Sequence, residues 1–196
     1  MKRLTSEIKT LDRNISAIAC AIELSANLRE QFDLTCIARD AGTLDGRLDR
    51  ALGDFLAAAH HKRRTRDDLG RAARRVCVFV ADRARTDPAI GDRAMRLRRR
   101  LRAEPTADAF HGLAPELLEI TGGMDGARAA THTLRLAKTL RAHLDAESRA
   151  TAAREAYTHL LETAASLAVT LRALNRSLQA RLDGAAAGAR AVRNAA

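Results

Sequence analysis

The sequence predicts an all-α protein, an elongated antiparallel helical bundle of long helices with coiled-coil-like seams. Three observations predict it. From Ala127 to Asp183 there is neither glycine nor proline, and alanine, leucine and arginine dominate the stretch. Leu4, Ile8, Leu11, Ile15, Ile18 and Ile22 recur in steps of four and three, as do Leu160, Ala164, Leu167, Leu171, Leu174 and Leu178, which is the spacing of a heptad seam. Aromatic residues are only 3% of the chain and tryptophan is absent, so the core must be aliphatic and rich in alanine. Alanine lets helices approach closely, which suits long helix pairs better than a deep ligand pocket.

Taken in order, the first seam predicts a helix running to about Gln31, with isoleucine at Ile8, Ile15 and Ile22 and leucine at Leu4 and Leu11. Phe32 to Gly46 reads as a connection, with Asp40, Gly42 and Gly46 as turn residues and Asp45 as an N-cap. From Leu44 to Arg85 helical spacing returns, with a gap at His60 to Arg66 that is either helix or a loop tip; Val76 to Val80 are β-prone but are kept as buried helix. Asp87 caps a helix that begins at Pro88 and ends near Ala103. Glu104 to Gly126 reads as a linker holding a short helix from Pro115 to Ile120, and Asp125 caps the long stretch that follows.

That stretch poses the main architectural question. One unbroken helix over it would be roughly 85 Å long, whereas a compact domain of this chain length has a radius of gyration of about 16 Å. The apolar stripe lapses at Asp145 to Thr151, where Asp145 or Ser148 could cap a second helix. A continuous helix is the preferred reading, because no helix breaker marks a turn there. Composition suggests one domain over residues 1–184 and a flexible Ala/Gly/Arg tail over 185–196.

The formal net charge is +10, and arginine carries nearly all of the basic side. Residues 1–42 balance, whereas 43–86 and 127–184 are both basic in excess. Two clusters stand out: Lys62, Arg63, Arg64 and Arg66, and the denser Arg96, Arg98, Arg99, Arg100 and Arg102. Arginine suits phosphate, though GC-rich coding would raise its frequency too. A lone basic helix supplies phosphate contacts without base readout, so any nucleic-acid binding should be to duplex backbone and independent of sequence. An anionic membrane surface is the less favoured partner, since no aromatic-rich insertion face is evident.

No catalytic, cofactor-binding or metal-binding constellation is expected. The three cysteines, Cys20, Cys36 and Cys77, share no metal-ligand spacing and point to a reducing, cytoplasmic setting. Neither a signal-peptide pattern nor a membrane-spanning run is seen. Phosphate loops, nucleophile elbows, zinc-protease motifs and the Glu-x-x-His pairs of di-iron bundles are missing, and Glu155 with His159 has the wrong spacing for the last. Thr131, His132, Thr133, Leu134 and Arg135 superficially resemble the histidine-centred helix of histidine-phosphotransfer domains. Where that family has a lysine and then a glycine after the leucine, this chain has Arg135 and Leu136, a departure at the positions that serve the chemistry.

The resulting expectation is a non-enzymatic structural, assembly or adaptor protein acting through helix–helix association, with itself or another protein and with no small-molecule substrate. Its helix-pairing residues would be Ile8, Leu11, Ile15, Ile18, Ile22, Leu160, Leu167, Leu171, Leu174 and Leu178. Backbone binding of duplex nucleic acid through the two arginine-rich clusters is the alternative, and a phosphotransfer-like module is third.

Overall fold

The structure, a computed structural model, describes residues 2–20, 28–83, 85–103 and 107–195. It is an all-α bundle with long helices. Among the described residues there are five: α1 (Lys2–Cys20), α2 (Leu28–Arg83), α3 (Pro88–Ala103), α4 (Ala107–Gly122) and α5 (Ala127–Ala195). No helix of the described residues is long and apolar enough to cross a membrane.

The chain divides into two compact units: residues 1–54 with 154–196, and residues 55–153. Both α2 and α5 contribute to each unit. The first unit is cored by Leu4 and Leu11 of α1, Leu34, Ala38, Ala41, Leu44 and Leu48 of α2, and Ala164, Ala168, Leu171 and Leu178 of α5. In the second, Leu69, Val76 and Val80 of α2, Leu97 of α3, Phe110, Leu113 and Leu117 of α4 and Leu136 of α5 share one core. Within this second unit α2 and α5 run antiparallel: Lys62 meets Glu147, Thr65 meets His143 and Phe79 meets His132, so numbers rise on one helix as they fall on the other.

Several sequence expectations need correction. Residues 32–46 are helix, part of α2, and not a connection. Glycine in a helix interior costs about 1 kcal/mol against alanine, but Leu34, Leu44 and Leu48 are buried here and each contributes roughly 1.5–3 kcal/mol. Burial therefore wins over Gly42 and Gly46. Asp45 is no cap; it sits mid-helix and accepts a hydrogen bond from Thr5 Oγ1 at 2.7 Å. The basic gap at 60–66 is also helix.

The linker is mostly α4, which begins eight residues before Pro115 and holds it inside. Proline has no N–H to give the carbonyl of His111, a loss of about 3 kcal/mol with the ring clash. Burial of Phe110, Leu113 and Ala114 upstream more than offsets it. The Asp87 and Pro88 start is as the sequence implies, with Ala89 N donating to Asp87 Oδ1 at 3.1 Å. Asp125 does not open α5. Instead Gly126, with a φ of 119° that favours glycine, accepts the first turn's hydrogen bond from Ala130 N.

The long stretch is one helix without a break at Asp145 to Thr151. The reason is a seam that changes composition without changing phase. Ala129, Leu136, His143, Ala150, Tyr157, Ala164, Leu171 and Leu178 follow one another every seven residues, and all but the half-buried Tyr157 are buried. Through the middle the seam is histidine and alanine in place of leucine. Residues 185–195, expected as a tail, continue α5 with every described side chain exposed.

Candidate functional site

The heptad phase of α2 has a counterpart to that change. Leu34, Ala41, Leu48, Phe55, Lys62, Leu69 and Val76 lie seven apart, so Lys62 takes a position that its neighbours in the row fill with apolar residues. Lys62 and Thr65 on α2 and His143 and Glu147 on α5 thus meet as a polar layer in the second unit, joined by His111 from α4. Spacing of four on one helix puts His143 and Glu147 on the same face.

Lys62 Nζ lies 2.7 Å from Glu147 Oε1, and both side chains are about two-fifths exposed. The hydrogen bond from Lys62 is the main cause holding the Glu147 carboxyl below its ordinary range. His143 is buried, and Thr65 Oγ1 sits 3.3 Å from its Nδ1. That hydroxyl also lies 2.9 Å from the Lys62 carbonyl and 3.2 Å from the His61 carbonyl, which can only accept. Its single proton is directed to them, so Nδ1 of His143 is the donor to Thr65 and Nε2 keeps its lone pair. Burial first, and the nearby His111 second, hold His143 below the usual imidazole range, with Glu147 opposing. The His111 ring packs edge-on against His143 with centroids 5.4 Å apart. One donor atom from each of His111, His143 and Glu147 can be chosen so that all lie within 4.8 Å of one another.

The sequence reading missed this group. Its local half was legible as His143-x-x-x-Glu147, but His111 lies 32 residues upstream of His143, and only the packing of α4 against α5 brings it in.

Leu11, Leu171 and Leu178 are core of the first unit, against which Ile8, Ile15, Ile18, Leu160, Leu167 and Leu174 pack half-buried. Ile22 lies outside the described residues, as does the side chain of Arg102. On α3, Arg100 pairs with Glu116 of α4 at 3.3 Å and Arg93 pairs with Glu119 at 2.8 Å. Arg96, Arg98 and Arg99 make no ion pair among the described residues. Of the α2 cluster, Arg63 and Arg64 are exposed, Arg66 is half-buried and Lys62 is taken up by Glu147. The two clusters belong to the same unit, which holds 20 basic and 12 acidic residues against 14 and 12 in the other. His132 is half-buried with its ring 4.4 Å from that of Phe79.

A concavity of about 560 Å³ lies between α1 and α5 in the first unit, lined by Glu7, Thr10, Asn14, Arg172, Asn175 and Arg176 among others. Asn175 Nδ2 donates to the Glu7 carbonyl and carboxylate, both at 3.1 Å, and its buried Oδ1 has no hydrogen-bond partner among the described residues. Buried asparagines at such seams commonly set helix register. No family model, no curated protein and no solved structure matches this chain.

Proposed function

We propose that the protein is a non-enzymatic assembly or adaptor protein that acts through helix–helix association, in the cytoplasm. One observation carries this reading. The two seams are used within the chain, yet Ile8, Ile15 and Ile18 on α1 and Leu160, Leu167 and Leu174 on α5 are only half covered. Leu160, Leu167 and Leu174 recur every seven residues, so an additional helix would find a large aliphatic side chain at each heptad. Covering such edges adds apolar burial at about 25 cal/mol per Å². A second copy of this chain is the simplest source of that helix. The free thiols Cys36 and Cys77 suit a reducing compartment.

Light scattering over a range of concentrations tests it. An oligomer whose population grows with concentration is expected, with Ile15→Ser and Leu167→Ser shifting it to monomer while helix content by circular dichroism is kept. Leu171 is unsuitable, because it is fully buried and its loss would unfold the unit. A monomer at every concentration would refute self-association.

Binding of duplex nucleic-acid backbone is a second reading, favoured by the charge asymmetry of the two units and by Arg96, Arg98 and Arg99, which make no ion pair among the described residues. Each phosphate contact contributes about 0.9 to the slope of log affinity against log salt. Changing all three to glutamine should therefore flatten that slope by nearly three; binding that ignores salt would sink this reading.

A further inference from the structure

We propose that His111, His143 and Glu147 form a binding site for a borderline divalent transition-metal ion, Zn2+ being the best suited, and that Lys62 competes with the ion for Glu147.

The donor set selects the ion. Two imidazole nitrogens and one carboxylate oxygen match Zn2+ and its neighbours Co2+ and Ni2+, whereas Ca2+ and Mg2+ take oxygen ligands. Around a tetrahedral Zn2+ with bonds of about 2.0–2.1 Å, ligand atoms stand roughly 3.3 Å apart. Here the three donors already lie within 4.8 Å of one another, so side-chain shifts of up to about 1.5 Å close the set. His143 is prepared for this role. It is buried, and Thr65 accepts a hydrogen bond from its Nδ1–H as an outer partner would, which orients the ring and leaves Nε2 with a lone pair to donate.

A polar layer that only sets register is the competing explanation. It accounts for Lys62 with Glu147 and for Thr65 with His143, since each pair is complete without help. It does not account for His111. Among the described residues that ring makes no hydrogen bond, yet α4 holds it edge-on to His143 and in reach of the same two donors. In the metal-free protein the Lys62 ammonium supplies the positive charge beside Glu147. Its side chain is two-fifths exposed, so it can swing to solvent when the ion arrives. The ion then links α4 to α5, with water in the fourth position.

Chelator-treated full-length protein is titrated with Co2+, read by its ligand-field absorption, and with Zn2+ by calorimetry. One ion per chain is expected. His111→Ala and Glu147→Gln, both at half-buried positions, should each weaken binding at least tenfold while circular dichroism stays native. Lys62→Met should tighten it several-fold, and the exposed pair His60→Ala with His61→Ala should change nothing. If folded His111→Ala and Glu147→Gln bind as the parent does, or if the His60/His61 variant abolishes binding, the site is refuted. An unchanged or weaker affinity in Lys62→Met refutes the competition. His111→Asn, which keeps polarity and bulk, serves if the alanine variant does not fold.

Discussion

Replacing Gly42 and Gly46 by alanine should stabilise the protein, and the sign of the effect separates a helix from a turn. Both glycines lie inside α2, and a Cβ built on either meets nothing within 4 Å. Among the described residues the positive φ belongs to Gly126, not to them. An alanine there loses no space and reduces the freedom of the unfolded chain, which is worth about 0.4–1 kcal/mol per site. The double variant should gain roughly 1–2 kcal/mol, or a few degrees in Tm for a chain of this size. Were these residues turn glycines in the left-handed region, alanine would instead cost about 1–2 kcal/mol each. Urea unfolding followed by far-UV circular dichroism measures the difference directly. A destabilised double variant would refute the continuous α2.

The opposite sign is expected at Gly126, where φ is 119°: alanine should cost about 1–3 kcal/mol in the same assay, despite open space around its Cβ. Burial pushes the Cys77 thiol up to about 11, with Arg98 opposing, so at pH 8 its thiolate should be roughly a hundredfold scarcer than that of a thiol at 9.0. Disulfide reagents should therefore modify Cys36 well before Cys77 in the native protein, and equal rates would contradict that burial. In chelator-treated protein, His143 refuses a proton that the unfolded chain binds. Its contribution to stability is thus full above about 6.5 and is lost as pH falls from there through the lower folded value. Urea midpoints at pH 8, 6.5 and 5.5 should decline in that order; a rise toward 5.5 would overturn the assignment. Leu136→Ala, at a fully buried seam position, should cost about 2–5 kcal/mol, and a change below 1 kcal/mol would contradict the packing of α5.

What the sequence determined by itself was whatever depends on neighbours along the chain. Helical class, the two leucine and isoleucine seams and the Asp87–Pro88 start follow from local propensity and from spacing on one helix face. Where an interior position is filled by something other than a large apolar residue, the local signal failed. Asp45, Gly42 and Gly46 resembled a turn because the burial that overrides them comes from other helices. Asp145 to Thr151 resembled a break because the seam passes there through His143, Ala146 and Ala150. Only tertiary structure decided that Lys62, His111, His143 and Glu147 share one layer. Antiparallel pairing of α2 with α5, and α4 packed beside them, is a property of helix faces meeting across long separations, and no window along the chain contains it.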